Sequence, residues 1–248
     1  MSGRDPSFAL GNRRPGPALT AILILNVVCY VAELIAMRLG APVEELFFMT
    51  PARVFGSGAV WQLFTYPLLH SPTEVSHIAF NMLTLYLFGG PLERWWGTRR
   101  FVTGYVLFAL AGGLFTLLVA LLSLTPVLSW LVPHLWTTPT VGASGAGMGL
   151  LIGFGFEFAE QRLAFPPMKV RTFVWVMIGF ELLVALSFAQ ISSTSHFGGM
   201  LGALLFMRGP GKWFDGKKRA QLEKKKRLIE SELRVIQGGK GGGGDLPN

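Results

Sequence analysis

The chain is short of charge and almost without cysteine. Charged residues make up 15% of its 248 positions, against roughly a quarter in soluble domains, too little to solvate a globule of this size. The one cysteine, Cys29, sits in an apolar run, which excludes a disulfide framework and a cysteine-based metal site. Acidic residues are the scarcer sign, 14 Asp and Glu against 22 Lys and Arg, for a net charge of +8. The stretch from Met1 to Pro17 has no apolar core, so it does not read as a cleavable signal peptide. What the chain has instead is apolar sequence: 51% hydrophobic residues and a mean hydropathy of +0.47.

That material falls into six apolar segments, Ala18–Met37, Val75–Leu92, Phe101–Leu124, Ala143–Phe156, Val170–Ala189 and Ser195–Met207. None alternates as a barrel strand would, so the pattern predicts an all-α polytopic membrane protein. The expected domains are an N-terminal tail, 1–17, a six-helix membrane domain, 18–207, and a basic C-terminal tail, 208–248. With the N-terminus inside, all of the 22 basic residues except Arg38 and Arg53 fall on one side. The positive-inside rule then puts both termini in the cytoplasm. Trp95, Trp96, Trp175 and Trp213 fall near inner boundaries, and Trp61, Trp130 and Trp136 in outer segments, as an aromatic belt would have them. The tail runs Lys217-Lys-Arg and Lys224-Lys-Lys-Arg reads as a juxtamembrane segment facing anionic lipid, not a nucleic-acid domain. The first outer loop, about Leu39 to Glu74, is too long to be structureless in a compact protein. Its many apolar residues predict a loop lying partly in the outer leaflet.

The candidate chemistry centres on Gly142-Ala-Ser144-Gly145. From Ala143 to Phe156 the chain carries no charge, then meets Glu157 and Glu160. At about 1.5 Å per residue that run is roughly 21 Å, short of the hydrocarbon core, so Ser144 sits at a helix start inside the membrane. Two readings stand side by side. The recurrence of Gly145, Gly149 and Gly153 is a small-residue stripe for close helix packing. A serine at that helix start is also placed to attack a carbonyl, with backbone N–H groups facing the oxyanion. His196 opens the sixth segment beside the small residues Gly199 and Ala203. If those two helices pack, the histidine is the base a serine needs. On its own, it reads first as a satisfied interfacial group, and only the pairing with Ser144 brings the catalytic reading level with that. His77 and Asn81 are spaced i, i+4, so both point to one side, either as a mutually satisfied polar pair or as oxyanion donors. No ligand set for a metal and no cofactor motif accompanies them.

Four stretches in order resemble the rhomboid family of intramembrane serine proteases: His77-Ile-Ala-Phe-Asn81, Phe88-Gly-Gly-Pro-Leu-Glu93 running to Gly97-Thr-Arg-Arg-Phe101, Gly142-Ala-Ser-Gly145 and Ser195-His196-Phe-Gly-Gly199. The resemblance covers roughly residues 18 to 207. It implies a six-transmembrane-helix bundle with a partly embedded first outer loop, in a bacterial cytoplasmic membrane. It implies a Ser–His dyad that hydrolyses peptide bonds of transmembrane protein substrates through an acyl-enzyme, without cofactor or metal. Ser144 is then the nucleophile and His196 the base, with Asn81, His77 and the Ser144 backbone N–H as the oxyanion hole. The family's dyad has no acidic third member, and no Asp or Glu neighbours His196 in sequence.

The chain departs from the family pattern at Gln62, Met148 and Ala203, and its spacer from His70 to His77 is long. These departures predict a differently anchored first loop, a looser histidine and a slightly wider contact between the fourth and sixth helices. Glu33 is expected to pair with Arg38 or a loop group, and Glu93 with Arg94 or Arg99. Glu181 is expected to be a bundle-internal polar residue with no catalytic role. A proteolytically dead binder would lack the Ser or His kept here, and a transporter would show the internal repeat this chain does not.

Overall fold

The computed structural model describes residues 14–126, 129, 132, 134–187 and 193–209. The basic tail runs, Arg4, Arg13, Trp130, Trp213 and Phe188 lie outside the described residues. The account below concerns the first of the chain's two units, Met1–Met207. Among the described residues it is helical, with no strand beyond two isolated bridges, Met49 with Thr140 and Arg162 with Lys169.

Helix α1 spans Pro17–Arg38 and opens with proline, whose fixed φ suits the first helical position and whose missing N–H would have had no partner there. Its next two N–H groups, of Ala18 and Leu19, donate to the Glu93 carboxylate at 3.0 and 2.9 Å. Glu93 is therefore a cap for α1, not the partner of Arg94 or Arg99 that the sequence predicted. A residue distant by 75 positions cannot be read as a cap from spacing along the chain.

The second apolar segment is continuous: α5 (Val75–Thr84), a π-helical turn (Leu85–Gly89) and α6 (Gly90–Trp96). Pro91 explains the widened turn, because its ring crowds the carbonyl four residues back and it has no N–H to give. Gly97, at φ +81°, takes a backbone conformation other residues avoid and turns the chain into α7, Thr98–Leu122. Helix α8, Ser144–Phe158, is the buried centre, with Gly145 through Phe154 all buried and α7 packed along it. Its glycines are filled differently from one stripe facing one partner. A Cβ on Gly145 would meet the Ser195 carbonyl at 2.9 Å, one on Gly149 the Phe108 ring at 2.6 Å and one on Gly153 Trp96 at 2.7 Å.

Helices α9 (Val170–Leu186) and α10 (Ser193–Arg208) complete the bundle. Only Val170, Val174 and Glu181 of α9 are buried, so this helix is the most peripheral of the long ones. The exterior is apolar: Ile24, Val28 and Ile35 of α1, Leu114 and Leu118 of α7, Leu183 of α9 and Leu205 of α10 are all exposed. Helices α1 and α7 are long and apolar enough to cross a membrane.

The first loop is built as expected of a segment that is not structureless. It folds into α2 (Val43–Phe47), α3 (Pro51–Gly56) and α4 (Gln62–Thr65), then a 3₁₀ turn, Tyr66–Leu68. Gln62, where the family pattern left the anchoring open, is fully buried and is itself the anchor. Its Oε1 accepts the Thr50 N–H at 3.1 Å and its Nε2 donates to the Glu45 carbonyl at 3.0 Å. Trp61 adds a bond to the Leu46 carbonyl at 2.7 Å.

Candidate active site

Ser144 is the first residue of α8, so its backbone N–H has no earlier helical carbonyl to donate to. Gly142 delivers the chain to that point at φ +112°, in the left-handed region, and its N–H is tied to the Tyr66 carbonyl at 2.9 Å. Tyr66 is in turn fixed by its hydroxyl on the Ala109 carbonyl of α7 at 2.5 Å. The serine therefore stands on a turn held from two sides.

His196 reaches Ser144 because α8 and α10 touch backbone to backbone. A Cβ on Gly199 would collide with the Gly145 carbonyl, and one on Gly198 would lie 2.6 Å from the Ala111 carbonyl of α7. Any side chain at these two glycines would push α10 away. At this crossing the helices meet without a spacer, so the wider contact expected from Ala203 is not seen here. Thr194 and Thr116 share a buried hydroxyl bond at 2.9 Å that sets the height of α10 on α7. The result is His196 Nε2 at 2.7 Å from Ser144 Oγ.

The other ring nitrogen is also engaged. His196 Nδ1 lies 2.8 Å from Glu181 Oε1, and the two side chains are 17% and 9% exposed. The expectation that no acid stands near the histidine holds along the sequence and fails in space. α9 brings Glu181 back from 15 residues upstream. A signal was present: Val170, Val174 and Glu181 recur at i, i+4 and i+11, one inward helical face.

The structure brings His77 and Asn81 to the same place. The pair does not satisfy itself ring to amide: Asn81 Nδ2 donates to the His77 backbone carbonyl at 2.8 Å. His77 Nδ1 accepts the Ser71 N–H at 3.1 Å, so the neutral ring carries its proton on Nε2. That Nε2 lies 2.8 Å from where a Cβ on Gly142 would be, and Asn81 Nδ2 3.6 Å from it. Two side-chain N–H groups thus converge beside the turn that carries Ser144.

Ser144, His196, His77, Asn81, Met148, Glu74, Ser76, Phe80 and Thr84 line one cavity of about 320 Å³. Met148 belongs to its wall. Behind it lies a buried polar track. His70 faces His77 at 5.3 Å between ring centroids, and its backbone N–H donates to Glu33 Oε2 at 3.1 Å. Glu33 therefore pairs with a loop group rather than with Arg38. Burial, and then the nearby His77, hold the His70 imidazole down at about 4, so it is neutral.

At the opposite end of α8, Glu157 accepts the indole N–H groups of Trp95 and Trp96, each at 2.7 Å, and pairs with Arg100 at 3.3 Å. Glu160 is held below the usual carboxylate range by its bond from Lys169, and Arg171 also pairs with it.

A half-buried serine–histidine pair at the start of a central helix, inside an apolar-surfaced helical bundle, defines a narrow class. A model of the rhomboid domain matches residues 57–209. The chain belongs to the rhomboid family. The rhomboid protease GluP of Bacillus subtilis is 27% identical over 60% of this chain and 26% of its own length. The rhomboid-like protease 3 of Toxoplasma gondii is 24% identical over 74% of this chain and 65% of its own. The rhomboid protease AarA of Providencia stuartii is 24% identical over 76% and 71%. The chain thus spans about a quarter of the first relative and just under two thirds of the second.

Proposed function

We propose that this chain is an intramembrane serine endopeptidase that cleaves membrane protein substrates in or near their transmembrane segments. The observation that carries the reading is the 2.7 Å contact between His196 Nε2 and Ser144 Oγ at a buried helix start. In this reading Ser144 gives its hydroxyl proton to His196 Nε2 while Oγ bonds to the scissile carbonyl carbon. The carbonyl oxygen takes the negative charge, facing the Ser144 backbone N–H, His77 Nε2–H and the Asn81 amide. As the C–N bond breaks, the proton on Nε2 passes to the leaving amine, and an ester to Ser144 remains. Water then gives a proton to Nε2 and its oxygen to the acyl carbon. The proton returns to Ser144 Oγ as the new carboxylic acid leaves.

The membrane domain, 18–207, is read as six spans in a bacterial cytoplasmic membrane, with both termini inside and the basic tail, 208–248, on anionic lipid. The first loop lies partly in the outer leaflet. Support comes from the apolar exterior and from the positive-inside count. A substrate helix enters laterally past α9, whose Trp175 and Phe180 are 71% and 59% exposed, and unwinds to present its carbonyl.

The test is cleavage of a generic transmembrane substrate by purified protein in liposomes. Ser144→Ala and His196→Ala should each lower kcat by at least about a thousandfold, and the double variant should be no worse than either, since the two act as a unit. Wild-type turnover in Ser144→Ala would overturn the assignment.

A further inference from the structure

The dyad of the proposed protease needs one tautomer of His196. For Nε2 to accept the Ser144 hydroxyl proton, the neutral ring must carry its own proton on Nδ1. In a site this enclosed, that N–H needs an acceptor. Glu181 Oε1 is 2.8 Å away and supplies it.

Three independent features make this more than a chance contact. Glu181 stands mid-way along an apolar helix, where a carboxylate is costly unless something in the bundle uses it. It is the only charged residue among those α9 buries, on the face that carries Val170 and Val174. And its partner is the second nitrogen of the very ring whose first nitrogen holds the serine. Among the described residues, the other polar side chains that line the cavity of His196 are Ser144, His77, Asn81, Glu74, Ser76 and Thr84. Glu74 is exposed on the cavity rim, and Asn81 and Ser144 are uncharged. The second imidazole, His77, already uses its own Nδ1 as an acceptor.

We propose that Glu181 is a positioning residue that converts the Ser144–His196 pair into a Ser–His–Glu triad. It acts through His196. The carboxylate fixes the Nδ1–H tautomer, holds the ring against Ser144, and faces the imidazolium formed when Nε2 takes the serine proton. Glu181 stays ionised throughout, and the Nδ1 proton stays on Nδ1. The proposal rests on the protease reading above, and adds to it a member from a third helix.

The experiment compares wild type with Glu181→Gln, Glu181→Leu and Glu181→Asp in liposomes, using the same transmembrane substrate, alongside Ser144→Ala and His196→Ala. Glu181→Gln keeps the shape but can donate to Nδ1, which favours the wrong tautomer. Its kcat should fall by about 100- to 10,000-fold with KM changed less than about threefold, the scale of losing the triad acid elsewhere. Glu181→Leu should be as inactive yet at least as resistant to unfolding, because an apolar side chain replaces a buried charge. Glu181→Asp should recover part of the rate lost in Glu181→Gln. Adding Glu181→Gln to His196→Ala should cost nothing further.

A readout free of turnover uses ¹⁵N-histidine labelling. The four histidines leave His196 assignable by its absence from His196→Ala. Its ring should carry the proton on Nδ1 in wild type and lose that preference in Glu181→Gln. Wild-type kcat in Glu181→Gln, or an unchanged Nδ1–H tautomer there, overturns the triad while leaving the dyad reading intact. Cleavage that survives Ser144→Ala overturns the protease reading itself, so the two failures are distinguishable.

Discussion

At the residue scale the site depends on one position that has no side chain. Gly142 adopts φ +112°, which L-residues avoid, and the space where its Cβ would sit is taken by His77 Nε2 at 2.8 Å. A methyl there meets two penalties at once, backbone strain of about 1–3 kcal/mol and a clash with the ring nitrogen that the proposed function assigns to the oxyanion. Gly142→Ala should therefore lower kcat by about 100- to 1,000-fold, the range for loss of an oxyanion donor, with a modest loss of thermal stability. Steady-state cleavage measured beside the detergent melting temperature checks this. Unchanged kcat would mean that His77 Nε2 does not serve the oxyanion. The sequence displayed Gly142 within its motif, but the reason for glycine appears only with the ring of His77, which lies on α5, with α6 and α7 between the two in the chain. Ser144, His196, His77 and Asn81 were legible because each stands in a motif. Glu181 was legible only as an unexplained charge, since the ring it serves is on another helix.

At the element scale, the helices followed from apolar runs, and their ends from proline, glycine and the first charges. The couplings between helices were not legible, because they are made by groups far apart in the chain. Glu93 shows why. Its carboxylate accepts the N–H groups of Ala18 and Leu19 and the Thr98 hydroxyl at 3.1 Å, so one side chain joins the starts of α1 and α7. Glu93 is 3% exposed, and its carboxyl group meets the space a side chain on Gly16 would need. Glu93→Gln leaves one acceptor oxygen and presents an NH₂ to a helix N–H, which should destabilise the fold by about 1–3 kcal/mol. Reversible unfolding in mixed micelles measures it. The kcat of the folded fraction should match wild type, because Glu157, near Glu93's end of α8, is about 20 Å along the helix from Ser144. A kcat defect without a stability defect would contradict a capping role. Helix α9 is held more lightly and carries Glu181, so the same helix that admits substrate in the proposed function also steadies the histidine.

At the scale of the whole molecule, side-chain contacts fix which ends of the helices lie together. The start of α1 meets Glu93 at the end of α6, and Arg100 at the start of α7 meets Glu157 at the end of α8. Arg94, Arg99, Arg162, Lys169 and Arg171 belong to these same junctions. Ser144 opens the other end of α8, and its cavity is rimmed by Glu74 from the first loop. The basic end and the cavity mouth are therefore opposite. With the cytoplasmic termini of the proposed function, the mouth faces the outer aqueous side, from which that reading draws its hydrolytic water. Single cysteines at Glu74, Thr137 and Lys169, each in a Cys29→Ala background, test it with a charged, membrane-impermeant thiol reagent applied to sealed, oriented vesicles. Glu74→Cys and Thr137→Cys should label only from the outer face and Lys169→Cys only from the inner face. Labelling of Glu74→Cys from the cytoplasmic face alone would invert the orientation and close the outward path that water and substrate take to Ser144.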